Sequence, residues 1–178
     1  MEQVSSREVY RNAWMTVRED VVRLPDGSTG IYGVVEKPEF AVVIPREGDG
    51  VWMVEQFRYP AGRRGWELPM GSWLAGATGG DALALAQTEL AEETGLTAST
   101  WRHLGRLMQA YGYSTQGFDV FLATDLTPGT PSREASEQDM VHRWVPDDEL
   151  RRMVVEGAVV DATTLAALAL LAHLDASA

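Results

Sequence analysis

The 178-residue chain contains no cysteine, which excludes disulfides, thiol nucleophiles and thiolate-held zinc. Lysine is almost missing as well: Lys37 is the only one, so positive charge is carried by arginine. That charge is scarce overall. Fifteen Lys and Arg stand against 26 Asp and Glu, a formal net charge of −11 with an isoelectric point near 4.6. Such a balance argues against a nucleic-acid partner, which needs a basic footprint. An anionic substrate would need local help from metal ions or clustered arginines. No apolar run approaches the roughly 20 residues that span a bilayer, and the opening MEQVSSREVYRNAW lacks the apolar core of a signal peptide. The expectation is a cytoplasmic protein with no membrane partner. Hydrophobic content of 45% and charged content of 23% are those of a globular chain long enough for one proper core.

What is present is concentrated in one stretch, Gly71 to Leu96. Its second half predicts a helix over Ala82–Thr94, N-capped by Asp81 and stopped by Gly95. At about 100° per residue, Leu83, Ala86, Leu90 and Thr94 form an apolar stripe. Glu89, Glu92 and Glu93 fall together beside it. Like charges at spacings of three and four repel by a few tenths of a kcal/mol per pair, and no Lys or Arg on the helix relieves them. They also lie toward the C-terminal end, where the helix dipole disfavours anions. Two readings follow: an ordinary solvated face, or a set of hard oxygen ligands for Mg²⁺ or Mn²⁺.

The residues Glu89-Leu90-x-Glu92-Glu93-x-Gly95-Leu96, preceded by Gly71, resemble the signature of the Nudix hydrolases, GX5EX7REUXEEXGU with U apolar. The last eight positions match. The first half departs: Ala77 stands where the first Glu is expected, Thr88 replaces the Arg, and the spacer from Gly71 to Thr88 is three residues longer. In the family that Arg orients a neighbouring glutamate. Arg58-Tyr-Pro and Glu67-Leu-Pro-Met70-Gly71 further resemble the ADP-ribose pyrophosphatase branch, whose usual stretch is Glu-Leu-Pro-Ala-Gly. In that branch the backbone carbonyl before the Gly binds metal, a place held here by Met70.

Along the chain, residues 7–24 and 29–37 alternate around the turn Leu24-Pro25-Asp26-Gly27 and predict a β-hairpin arm. Phe40–Ile44 and Val51–Tyr59 predict a second pair of strands. The segment Ala61–Gly71 holds adjacent Arg63 and Arg64 with Trp66, which can fix a pyrophosphate and stack on a base or ribose; a solvated loop is the plain alternative. Trp101–Gln109 and Gly117–Ala123 predict strands. Between them the aromatic loop with Tyr113 is either a substrate mouth or a packed connection. Thr127–Asp139 reads as a mobile surface loop, followed by a strand over Met140–Val145. Pro146 then opens a helix, and Ala162–Leu174 forms a last, nearly all-apolar helix capped by Asp161, packed on the domain or on a partner chain. His103, His142 and His173 read as structural.

The order of elements predicts an α+β fold, which the resemblance makes a Nudix-like α/β/α sandwich with a mixed sheet and an N-terminal β-hairpin arm. The expected organisation is an arm over 1–38, part of the same unit, and a catalytic domain over 39–178. The resemblance implies metal-dependent hydrolysis of a nucleoside diphosphate linked to a sugar, ADP-ribose first, by a homodimer. Glu89, Glu92, Glu93 and the Met70 carbonyl are then the metal set, with Glu92 also counted among the catalytic groups. Arg58, Arg63, Arg64, Trp66, Glu67 and Tyr113 are the candidate substrate contacts. A further acid is expected from the loop before a late strand. Glu137 is the candidate general base, Asp139 the second choice, and Glu134 lies too far from the strand. A Nudix-fold nucleotide or ADP-ribose sensor without turnover is the alternative function.

Overall fold

The computed structural model describes residues 1–73 and 80–176; Ala77, at the place of the signature's first Glu, lies outside them. The arm is three strands in an antiparallel sheet of order β1-β2-β3: β1 (Glu2–Arg11), β2 (Thr16–Arg23) and β3 (Thr29–Glu36). The β2–β3 hairpin turns at the expected place, where Gly27 takes a left-handed φ of 86° and the Asp26 side chain accepts from the Ser28 N–H at 3.0 Å. The outer strand is an addition to the predicted hairpin. The chain doubles back at Asn12, whose side-chain oxygen accepts from the N–H groups of Trp14 and Met15 at 2.8 Å each. That single Asx turn divides what the alternation alone reads as one long strand.

The remaining strands, β4 (Phe40–Glu47), β5 (Gly50–Arg58), β6 (Arg63–Glu67), β7 (Met70–Ser72), β8 (Thr97–Met108), β9 (Gly117–Thr127) and β10 (Val141–Pro146), form one seven-stranded sheet. Its path is β10-β5-β4-β9-β8, with β6 paired to β5 and β7 to β4. Among the described residues only β4 and β9 pair in parallel within it, so the sheet is mixed. Three helices cover it: α1 (Ala82–Thr94), α2 (Asp147–Val155) and α3 (Ala162–Asp175).

The alternation of side chains along β4 explains the layering. Ala41 and Val43 meet Leu85, Ala86 and Leu90 of α1, together with Phe121 and Ala123 of β9. Phe40, Val42 and Ile44 point the other way, toward Leu150 and Met153 of α2 and Ala167 and Leu171 of α3. Each such aliphatic side chain contributes about 1.5–3 kcal/mol on burial. The result is the expected α+β sandwich, a sheet between helices. The apolar α3 thus finds its cover on the sheet of its own chain. Among the described residues no helix is long and apolar enough to cross a membrane.

One departure from regular pairing positions the site. β4 and β5 pair only beside their turn, at Arg46–Val51 and Glu47–Gly50. Farther along they part, and β7 takes up β4 while β6 takes up β5. The strand pair that carries Arg63 to Ser72 enters at this parting. Prolines mark its edges: Pro69 donates nothing, but its carbonyl accepts from the Val43 N–H at 2.9 Å.

Candidate active site

The acidic helix forms where the sequence predicts it, over Ala82–Thr94, with the Asp81 carboxylate accepting from the Leu83 N–H and Gly95 closing the end at φ 75°. Its buried face is turned slightly from the predicted stripe. Leu85 and Glu93 are inside with Ala86, Leu90 and Thr94, while Leu83 is half-buried. A tertiary contact accounts for this turn. Glu93, only 1% exposed, accepts from the Met70 N–H of β7 at 3.1 Å through Oε2. Its other oxygen, Oε1, is buried with no hydrogen-bond partner.

Glu89 lies over Gly71. A Cβ at position 71 would stand 2.0 Å from the Glu89 carboxyl carbon, so any larger residue there would drive the carboxylate away. The glycine of the signature is therefore a matter of space. Thr88, at the place of the missing Arg, bonds back to the Ala84 carbonyl of its own helix and is exposed.

The electrostatics of this cluster are those of anions out of water. Burial, then the nearby Glu92, Glu137 and Glu134, push the Glu89 carboxyl up to about 7. Burial pushes Glu93 well above the usual range, helped by Glu137, Glu89 and Glu67 and opposed by the Met70 N–H. Glu137 is also raised, by burial and by Glu134. Glu137, in the turn Ala135–Glu137, is near enough to the helix glutamates for the carboxyls to raise one another. Among the described residues, no three His, Asp or Glu form a ready-made cation cage. A hard divalent cation fits the donors nonetheless. They are oxygens, one is buried and unpartnered, and the space over Gly71 is reserved for a carboxylate.

This charge distribution has a measurable consequence in metal-free protein. Below pH 4.5 Glu89 is protonated in both folded and unfolded chains. As pH rises from 4.5 to about 7 the unfolded chain ionises this carboxyl while the folded chain keeps it protonated, so stability falls across that window and levels off above it. A carboxyl moved from 4.5 to about 7 corresponds to on the order of 3 kcal/mol once ionised. Thermal unfolding in chelator should therefore show a Tm that drops between pH 5 and pH 8, with a smaller drop in Glu89→Gln. Equal slopes in the two proteins would remove Glu89 from this account.

Beside the cluster is a cleft of about 570 Å³ whose walls include Arg58, Arg63, Trp66, Glu67, Met70 and Gly71. Gly71 joins the two: it faces Glu89 and lines the cleft. Glu67, 5% exposed, pairs with Arg58 at 2.8 Å, yet burial outweighs that attraction and holds its carboxyl above the usual range. The Leu68 N–H bonds the Thr164 hydroxyl of α3 at 3.0 Å, which fastens the Glu67–Met70 segment. Arg63 donates to the Gly157 carbonyl at 2.8 Å. Trp66 has the Arg143 guanidinium 4.7 Å from its ring centre, so one face of the indole is already stacked.

Two predicted substrate contacts stand elsewhere. Arg64 is absent from the cleft wall and pairs with Glu55 at 2.8 Å and Asp139 at 2.5 Å, joining β5 to the late loop. Neighbouring arginines on a strand point apart, which separates Arg63 from Arg64. Tyr113 sits in a turn whose backbone holds Val35 of the arm, its carbonyl accepting from the Val35 N–H at 2.8 Å, and the residue is 59% exposed, away from the cleft wall. Asp139 is committed to Arg64, whereas Glu137 is among the groups that raise the Glu89 and Glu93 carboxyls. Sequence reasoning passed over Arg143 and Thr164, whose partners are 77 and 96 residues away in the chain.

The fold has a solved counterpart. A solved structure described as an ADP compounds hydrolase superposes with a TM-score of 0.83 at 18% identity, covering 97% of this chain and 92% of its own. The class comes from the sequence profiles. The profile of the NUDIX domain matches residues 36–168, and that of the nucleoside diphosphate sugar hydrolase N-terminal domain matches residues 1–35. The chain belongs to the Nudix family and is a Nudix pyrophosphohydrolase. An ADP-ribose pyrophosphatase of Mycobacterium tuberculosis is 37% identical over 93% of this chain and 80% of its own length. A CMP-5'-(N-acetyl-N-hydroxy-3-aminopropyl)phosphonate hydrolase of Streptomyces rubellomurinus is 32% identical over 94% of this chain and 79% of its own.

Proposed function

We propose that the protein hydrolyses the pyrophosphate bond of a nucleoside diphosphate linked to a sugar, with ADP-ribose as the first choice, giving AMP and ribose 5-phosphate. The observation that carries this reading is the junction at Gly71. A cluster of carboxylates with one buried, unpartnered oxygen meets a cleft bearing Arg58 and Arg63. In this reading Glu89, Glu92 and Glu93, with the Met70 carbonyl, hold Mg²⁺ or Mn²⁺. A divalent ion held by these residues would neutralise the pyrophosphate and make a bound water more acidic.

The chain's own groups do the rest. Arg58 and Arg63 orient the two phosphates, and Glu67 keeps Arg58 in place through its ion pair. The exposed face of Trp66 is left for a base or ribose. Glu137 takes the proton of the attacking water as that water adds to phosphorus. The bridging P–O bond breaks, and the second phosphate ester leaves. Arg64, paired with Glu55 and Asp139, and Tyr113, exposed and outside the cleft wall, take no part in this scheme. A binding module without turnover gains no support from the placement of Glu137 against the helix glutamates. Residues 1–38 serve as the arm and 39–178 as the catalytic domain, in the cytoplasm.

The test is a panel of nucleoside diphosphate compounds, CMP-linked phosphonates included, incubated with Mg²⁺ or Mn²⁺ while released phosphate esters are measured. ADP-ribose should rank first, with AMP as product. Failure to split any diphosphate compound would sink the reading.

Assembly belongs to the same proposal. All of β1 is exposed, and the arm presents Val4, Val9, Tyr10 and Ile31 to solvent, each at least 46% exposed. An unpaired strand edge and such side chains gain from a second copy. Light scattering at micromolar concentration should report a homodimer, and removal of residues 1–36 should leave a monomer. A full-length monomer would rule this out.

A further inference from the structure

The late loop, between β9 and β10, carries Glu137 toward a cluster of like charge, so something must hold it there. Two contacts between loop and helix are backbone ones. The Ser132 N–H donates to the Glu92 carbonyl at 3.0 Å. Gly129 and Gly95 approach so closely that a Cβ on either would lie within 2.8 Å of the other segment's backbone. The third contact is a side chain. Arg133 donates from Nε to the Glu93 carbonyl at 2.9 Å, from one terminal nitrogen to the Met140 carbonyl at 2.6 Å, and from the other to His142 Nδ1 at 2.7 Å. Arginine has only donors, so His142 must present an unprotonated Nδ1.

These partners lie on three elements: the last turn of α1, the end of the loop, and β10. Glu137 is between them. Its N–H donates to the Glu134 carbonyl, and its own carbonyl accepts from the Met140 N–H at 2.9 Å. The Gln138 side chain bonds the Arg133 and Glu134 carbonyls at 2.7 and 3.0 Å, closing the turn from inside. The segment from Arg133 to Met140 is thus pinned at both ends by one guanidinium. Its charge also sits at the helix C-terminus, where a cation is favoured and where α1 has no basic residue of its own.

We infer that Arg133 is a positioning residue for hydrolysis: it fastens the late loop across the C-terminal end of the acidic helix and so fixes Glu137 against Glu89, Glu92 and Glu93. The inference rests on the reading of Glu137 as general base. Arg133 touches no reacting atom in this role. It acts by geometry, and misplacement of a catalytic group by about 1 Å can cost on the order of a hundredfold.

A double-mutant cycle tests it, using ADP-ribose and Mg²⁺ or the diphosphate compound the panel ranks first. Arg133→Ala should lower kcat on the order of 10- to 100-fold with KM within a few fold. Arg133→Lys keeps the charge without the planar fork and should fall between it and the natural protein. Millimolar guanidinium should restore part of the activity of Arg133→Ala. In a Glu137→Gln background the same substitution should cost almost nothing more, because the group it positions is gone. Melting of the metal-free proteins should show Arg133→Lys folded, so that loss of fold in Arg133→Ala would leave the cycle to be run on Lys. Equal losses in both backgrounds, a loss confined to KM, or full kcat in Arg133→Lys and Arg133→Ala would overturn the inference. Full kcat in Glu137→Gln alone would instead overturn the reading of Glu137, and with it the positioning role of Arg133.

Discussion

Glu93→Gln is expected to lower kcat by at least about a hundredfold, and Glu89→Gln by a similar factor, because each removes a charged ligand on which metal-assisted hydrolysis depends. The two substitutions reach this result from different surroundings. Glu93 is buried, bonded on one oxygen to the Met70 N–H and unpartnered on the other. Glutamine keeps an oxygen for the Met70 N–H. Glu89 lies over Gly71 at the mouth of the cleft, where glutamine occupies the same space. Neither change opens a cavity, and both remove a charge that burial and like-charged neighbours oppose. Tm of the metal-free protein at pH 8 should therefore stay level or rise in each variant while turnover falls. Such opposite signs separate a ligand role from general damage. Turnover within about threefold of natural in either variant, at saturating Mg²⁺, would displace the acidic helix from the chemistry.

The second large effect is expected at Glu137. Loss of a general base costs a factor of about 10² to 10⁴ in rate, so Glu137→Gln should lower kcat strongly and leave KM within a few fold. The control lies two residues on. Asp139 is 62% exposed at its side chain and paired with Arg64, so Asp139→Asn should retain most of the activity. The first-choice acid and the runner-up thus stand in different surroundings. Burial and Glu134 raise the Glu137 carboxyl, and it interacts with Glu89, Glu92 and Glu93. An unchanged kcat in Glu137→Gln together with a large loss in Asp139→Asn would move the role to Asp139. No loss in either would end the catalytic claim of the loop.

The elements legible in advance are those specified by neighbours in the chain. Asp81 and Gly95 bound α1 because an N-cap and a left-handed C-cap act within one turn. Asp161 caps α3 for the same reason, accepting from the Thr164 N–H at 2.7 Å. The turn at Asp26-Gly27 and the buried β4 follow from turn chemistry and an unbroken apolar run. Pro146 ends β10 and caps α2 instead of opening it, a shift of one residue at the boundary, where local signals are weakest. At Asn12 a single residue turned the chain against an alternation that continues on both sides, and periodicity could not register it.

The sequence by itself pointed to the chemistry class of this protein through the likeness of Glu89 to Leu96, with Gly71 ahead of it, to the Nudix signature; the glutamates without basic relief left a solvated face open on their own. Those features depend on residue type and spacing over a few turns, where the backbone geometry is nearly invariant. Only the tertiary structure decided how the residues are shared out. It buried Glu93 rather than Glu92, because β7 brings the Met70 N–H to that side of the helix. It gave Arg63 to the cleft and Arg64 to Asp139, and it set Arg133 on the helix end 40 residues before it. Each outcome depends on which distant strand or loop arrives at a given face. That choice is made by burial of the whole core, to which no local pattern has access.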